Sequence, residues 1–456
     1  MPARKPYAPP PAARSVPAHD PYAAFRFVSF VFYTLGNFIS ITGRQMLTVA
    51  LEWEVYARSH SATALGLVGL TAALPVVALS LPAGHLADRF SRKTIILWSQ
   101  AGSAICSVLL AIISWHHLVI PPWPILLRAN GWLAAIAHVF ERHHGYHFDD
   151  LSLPLIYLVM FISGSTRTFG WAARASFFPT LVPRDHFANA VTWNSSIFQI
   201  ACVLGPATAG FLIVRLGFPY IYALDSCCAM AFFFLVLPIK KIRVSKSVSA
   251  SPWESLAAGI RFVLSKKIIL ATITLDLFAV LLGGATALLP IFADQILHCG
   301  PIGLGWLRAA PAIGAFVMAV TIAYLPPMRR AGCTLLWCVS GFGVATIIFG
   351  ASHWFWLSLL MLFFTGVFDS VSVVVRQTLV QLLTPDEMRG RVSAVNNIFI
   401  GTSNEFGAVE SGLTAAVFGP VVSVVGGGIG TILVVLAVVF KWPQIRKIGR
   451  LDRSVG

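Results

Sequence analysis

Long apolar runs separated by short polar turns fill the chain from about residue 28 to residue 440. A helix needs about 20 residues to cross a bilayer's hydrocarbon core. Twelve runs of that kind are predicted, near 28–57, 64–87, 94–115, 152–177, 190–214, 219–239, 267–293, 303–326, 332–351, 354–382, 392–418 and 421–440. Residues 1–25 read differently. Seven prolines between Pro2 and Pro21 predict a disordered, Pro-rich tail. The tail is too long and too polar for the n-region of a cleaved signal peptide, so the first run is expected to stay as a spanning helix.

Composition supports an all-α membrane protein. Of 456 residues, 57% are hydrophobic and 11% charged, against about 25% charged in soluble domains. Mean hydropathy is +0.78. The formal charge is +15, but no basic stripe with interleaved aromatics lies outside the apolar runs, so nucleic acid is not an expected partner. The positive-inside rule explains the excess. Twenty-four Lys and Arg flank the spans on the side of the two termini, and four (Arg58, Arg128, Arg142, Arg215) flank them on the other. Both termini are therefore expected in the cytoplasm. Six of the seven cysteines fall in apolar stretches, and no pair suggests a disulfide or zinc site.

The chain repeats itself. Arg174-ASFFPTLVP aligns with Arg376-QTLVQLLTP at an offset of 202, which also pairs Gly164 with Gly366, Pro183 with Pro385 and Asn194 with Asn396. Earlier, Gly66 pairs with Gly303 at an offset of 237, so the first half carries about 35 additional residues. The predicted organisation is a tail (1–25), a six-helix bundle (26–239) with an outer insertion (116–150), a basic cytoplasmic linker (240–266), a second six-helix bundle (267–441) and a cytoplasmic tail (442–456). Two pseudo-symmetric six-helix bundles are a transporter signature.

Three motifs carry a resemblance. Gly84-HLADRFSR-Lys93 lies between predicted helices 2 and 3. It resembles the G-x-L-a-D-r-x-G-r-k loop of the major facilitator superfamily, with Ser91 in place of the second Gly, so that turn is not expected to be left-handed. Gly84 would let helix 2 pack closely. Asp88 would latch the cytoplasmic side on a helix end or an arginine, and Arg89, Arg92 and Lys93 would face cytoplasm and anionic lipid. Gly205-Pro206-ATA-Gly210 in helix 5 resembles the superfamily's antiporter motif. Its glycines would allow close helix approach and Pro206 would bend the helix; plain helix packing is the competing reading. Residues 163–184 and 376–412 are similar to the drug:proton antiporter branch that includes bacterial enterobactin exporters and macrolide efflux proteins. That resemblance implies a bacterial inner-membrane, proton-coupled exporter of a small, fairly hydrophobic molecule such as a drug, siderophore or metabolite, working as a monomer without a cofactor. A proton-coupled importer and a polytopic membrane enzyme remain as alternatives.

Charges inside spans are costly and mark cavities or ion pairs. Arg44, Arg167, Asp276 and Asp369 fall mid-span in helices 1, 4, 7 and 10, which the resemblance makes the cavity helices. Arg167 with Asp369 and Arg44 with Asp276 are the expected pairs, serving proton coupling or plain ion pairing. Glu405 and Glu410 are further coupling candidates. Glu52 and Glu54 are two apart on one helix, so at most one should face the cavity. Arg174 and Arg376 are expected at cytoplasmic helix ends. The insertion holds six of the twelve histidines; residues 121–144 predict an amphipathic helix at the outer surface, and His143 with His147 form a weak i, i+4 metal candidate beside a solvated-loop reading. No P-loop, H-E-x-x-H or G-x-S-x-G occurs.

Overall fold

The computed structural model describes residues 20–115, 121–141, 150–240, 252–325, 330–447 and 449, without the side chains of Leu81, Asp88, Pro252, Trp253, Ser255, Asp386, Glu387, Ala394, Asn397 and Lys447. Every regular element among them is a helix: α1 (Val28–Ser59), α2 (Ala62–Arg89), α3 (Arg92–Ile113), α4 (Pro124–Phe140), α5 (Ser152–Phe177), α6 (Phe187–Arg215), α7 (Phe218–Val236), α8 (Pro252–Ser265), α9 (Lys267–Leu282), α10 (Gly300–Tyr324), α11 (Ala331–Ala351), α12 (Phe355–Leu383), α13 (Asp386–Phe418) and α14 (Pro420–Lys441). Among the described residues, nine helical stretches are long and apolar enough to cross a membrane. The other three predicted spans are α1, α5 and α13, of 32, 26 and 33 residues. They are long enough, but they hold most of the intramembrane charge.

Three departures from simple spans matter. The seventh predicted span breaks at Gly283–Gly284 and continues as short helical turns and a π turn to Ile296. A Cβ at Gly284 would stand 2.7 Å from the Gly407 carbonyl, so α13 crosses hard against the break. Within the insertion, α4 forms as expected. Beyond it, Glu141 Oε1 accepts from Ser61 Oγ (3.0 Å) and the Thr63 amide (2.8 Å), pinning the insertion to the start of α2. In the predicted linker, α8 buries Val263 with Ile269, Ile273, Val380 and Val392.

In the first half, α1 packs on α6 and α7, α3 on α5 and α7, and α2 on α5; in the second, α12 packs on α10 and α11, α14 on α11, and α9 on α13. Two seams join the halves, α2 with α13 and α6 with α10. Both are lined by small residues that bring backbones together. A Cβ on Gly66 would lie 3.2 Å from Gly412 Cα, and one on Gly210 would lie 2.6 Å from the Pro301 carbonyl and 3.3 Å from Gly305 Cα. The seams are related by the repeat offsets.

The apolar core shows how the halves meet. At the end opposite the termini, one continuous cluster joins them: Val49, Tyr56, Ile156 and Tyr222 pack with Leu288, Phe292, Leu304 and Phe349. At the terminal end the clusters are separate. Phe30, Tyr33, Phe177 and Phe232 belong to the first half, while Leu275, Leu335 and Val375 belong to the second. The halves are welded at the distal end and parted at the terminal end.

Candidate substrate cavity

The broken seventh span and the seams leave a central cavity of about 330 Å³ between the halves. Such a volume suits a small molecule. Its polar lining is Arg44, Glu52, Arg167, Thr286, Arg308 and Glu405 together with Gln45, Thr48, Ser163 and Asn404. A second cavity of about 510 Å³ shares Arg44, Gln45 and Arg167 with it and extends toward the terminal end inside the first half.

Two ion pairs cross between halves at the central cavity. Arg308 on α10 donates to Glu52 on α1 at 3.0 Å and also to the Thr286 carbonyl freed by the helix break, at 2.9 Å. Arg167 on α5 donates to Glu405 on α13 at 3.2 Å. The second Glu52 oxygen is buried without a partner. Farther out, Tyr56 donates to Asp294 at 3.3 Å, closing the distal side.

The expected pairs do not form. Arg167 meets Glu405 rather than Asp369, and Asp276 pairs with Arg376 rather than Arg44. Equal depth along the repeat does not bring residues together, because α5 faces α13 and α9 faces α12 across different gaps. Arg44 instead donates to Ser163 at 3.2 Å. Arg376 is not at a helix end: it sits inside α12 with 2% of its side chain exposed, bonded to Asp276. Asp369 lines a pocket of about 20 Å³ with Asp276 and Phe368, away from the central cavity. Arg174 lies in the last turn of α5, at the helix end as expected, and is part-buried. It donates to Asn37 Oδ1 at 3.3 Å and lies 5.0 Å over the Phe232 ring. Of the α1 acids, Glu52 faces the cavity, while Glu54 turns away to bond Arg58, Ser114 and Tyr222. Glu410 bonds its neighbour Ser411 at 3.4 Å.

The loop motif is also revised. A Cβ on Gly84 would meet nothing within 4 Å, so close packing does not explain it. Lys93 is buried and donates to the carbonyls of Leu237 (2.5 Å) and Ile239 (2.6 Å), capping the end of α7 instead of facing lipid. Arg92 donates to the Ser176 carbonyl at the end of α5, at 2.9 Å, and Arg89 is exposed. Ser91 has φ −59°, not left-handed, as expected. The Asp88 side chain, and His143 and His147, lie outside the described residues. In the antiporter motif, Gly205 faces α1, where its Cβ would lie 2.9 Å from the Thr42 carbonyl, and Gly210 faces α10, so the motif forms one inter-half seam.

Sequence reasoning passed over Arg308, Asp225 and Asp294. Arg308 and Asp225 are lone charges in the apolar runs 303–326 and 219–239, and that is the signal in the sequence that marks them. Asp225 is buried on α7 and accepts from Ser107 Oγ at 2.5 Å.

A family model described as Major Facilitator Superfamily matches residues 33–332. The chain is 25% identical over 414 residues to the Enterobactin exporter EntS of Shigella boydii serotype 18 and of Escherichia coli O81, covering 91% of each chain. Among solved structures, it resembles a bacterial homologue of the human lysosomal transporter Spinster in an inward-facing, unoccupied conformation (TM-score 0.66, 14% identity, 93% of this chain and 98% of that one). It also resembles a D-xylose–proton symporter (TM-score 0.65, 15% identity, 91% and 97%). A bacterial homologue of the iron transporter ferroportin, inward-facing, gives a TM-score of 0.63 at 14% identity (93% and 99%). The matched length, the helical architecture and the cavity between two halves agree: the chain belongs to the Major Facilitator Superfamily and is a multi-pass membrane transporter, not an enzyme.

Proposed function

We propose that the protein exports a small, fairly hydrophobic molecule from the cytoplasm in exchange for protons, by alternating access between two six-helix halves (26–239 and 267–441) joined by the basic segment 240–266. The charge asymmetry supports placing both termini in the cytoplasm of a bacterial inner membrane. The cavity then opens toward the cytoplasm, where an exporter loads. The export direction is supported by the enterobactin exporters it resembles.

The observation that carries this reading is the pair of inter-half ion pairs, Glu52–Arg308 and Arg167–Glu405, lining one cavity. Opening the distal side must pull both apart. A carboxylate stripped of its arginine in a low-dielectric cavity is costly until it takes up a proton. Separation thus favours proton uptake from outside, and re-pairing expels the proton inward, which is antiport. Asp276, paired with Arg376, shares a small pocket with Asp369, and the two carboxylates form a second proton-binding candidate. Glu410 is a weaker one.

The test separates coupling from binding. In proteoliposomes, Glu405→Gln and Glu52→Gln should lose proton-driven transport but retain substrate exchange. An uncoupler should raise accumulation of exported substrate in cells. Full proton-driven transport in both variants would remove the pairs from the mechanism and pass the role to Asp276 and Asp369.

A further inference from the structure

The two halves treat one repeat-equivalent arginine differently. Arg174 and Arg376 are related by the offset of 202, and each reaches the first helix of its own half. Arg376 meets a carboxylate there, Asp276. Arg174 meets a neutral amide, Asn37. Asn37 is buried and its own Nδ2 donates to Asn194 Oδ1 at 3.4 Å, so it supplies no charge. Among the described residues, the second half neutralises its arginine internally and the first half does not.

The unmatched charge faces space. Arg44, Arg167 and Arg174 line the 510 Å³ cavity, where Asp225 is the one acidic lining residue. Arg167 is engaged by Glu405, and Arg44 lines the cavity together with Asp225. Arg174 forms no ion pair among the described residues, and its buried Nε has no hydrogen-bond partner. A part-buried guanidinium with a buried, unsatisfied nitrogen and no counter-ion is unfavourable, unless a ligand supplies the charge. The same cavity is lined by the aromatic side chains of Tyr33, Trp171, Phe178 and Phe198, and the Phe232 ring lies under the guanidinium. A guanidinium set among rings suits a planar acid, whose carboxylate or phenolate accepts from the arginine while its ring stacks.

We infer that this cavity is a binding site for aromatic organic anions, with Arg174 taking the acidic group and Arg44 the second positive wall. The inference rests on the transport reading and narrows its substrate class. It also assigns Asn37 as a specificity residue: its neutrality leaves Arg174 free for the ligand.

Full-length protein, purified in detergent with no gradient, is titrated calorimetrically with 2-naphthoate, 2-naphthamide and 2-naphthylmethylammonium. The carboxylate should bind, and the amide and the cation should bind at least about tenfold more weakly, as loss of a charged hydrogen bond implies. Asn37→Asp copies the second half's arrangement, so it should fold, and it should weaken naphthoate binding about tenfold or more. Arg174→Gln should do the same, and Arg174→Lys should restore part of the affinity. Equal binding of all three probes, no naphthoate binding at millimolar concentration, or an Asn37→Asp protein that keeps its melting temperature and its naphthoate affinity would each overturn the inference. If Arg174→Gln does not fold, Asn37→Asp alone decides. Failure of the export reading looks different: naphthoate binds as described, but an uncoupler leaves its cellular accumulation unchanged.

Discussion

Arg376 has 2% of its side chain exposed and its partner Asp276 8%. Removing one member leaves an uncompensated charge in a dry interior, which costs roughly 3–5 kcal/mol. Arg376→Leu should therefore destabilise the protein by about that amount in detergent unfolding measurements. The double variant Arg376→Leu with Asp276→Leu should recover most of the loss, because two apolar groups replace a costly pair. At the distal surface Asp150 behaves differently. Burial pushes its carboxyl up, but hydrogen bonds from Ser152 and the Arg58 guanidinium outweigh this and hold it below the usual carboxylate range. Its folded-state value is lower than the unfolded one. Ionised Asp150 thus adds stability above the unfolded value of about 3.9, and that stability is lost as pH falls through the folded value. Melting temperature measured between neutral and acid pH should fall less steeply in Asp150→Asn than in the parent. The charges themselves were readable as residues in apolar runs. Their partners were not, because an ion pair depends on which helix faces which.

At the scale of the helix, the seams carry the sharpest expectation. Gly210 sits where a Cβ would press on the Pro301 carbonyl and the α10 backbone, while Gly426 on α14 has nothing within 4 Å. Backbone cannot yield as a side chain can. Gly210→Val should abolish transport in proteoliposomes, and Gly426→Ala should leave it unchanged. A Gly210→Val protein with full activity would mean that the α6–α10 seam need not stay closely packed. Glu141 tests the insertion. Its carboxylate takes the Thr63 amide, one of the donors left over at the start of α2. Glu141→Ala should cost about 1 kcal/mol, as loss of a cap does, read as a lowered melting temperature. The spans were legible because apolar length is local. The break at Gly283–Gly284 and the helix α8 were less so, since both depend on α13 lying against them.

The whole molecule is closed at one end by a shared core and a few polar contacts, and parted at the other. Glu52–Arg308 lies on the closed side. Arg308→Gln should weaken that closure and raise the population open at the distal end. Spin labels at the distal ends of α1 and α10 should then report a larger share of long distances than in the parent. An unchanged distribution would show that the apolar core alone sets the closed state. Restoring a pair of reversed sign, with Glu52→Arg and Arg308→Glu together, should return the distribution toward that of the parent.

Several features were settled by sequence alone: membrane residence, the helical class, the two-half repeat, the family resemblance and the presence of charge at mid-span. Each follows from local composition or from spacing along the chain, which no folding can alter. Tertiary structure decided the rest. It turned Lys93 from a lipid-facing cation into a cap on α7, and it moved Arg376 from a helix end to the interior. It joined Arg167 to Glu405, and it brought Arg308 to Glu52 across a helix break. These outcomes depend on rotation of each helix about its axis and on which neighbour it meets. A one-residue change in facing turns a helix by 100°, so hydropathy fixes that a helix spans but not which side chains meet across the cavity.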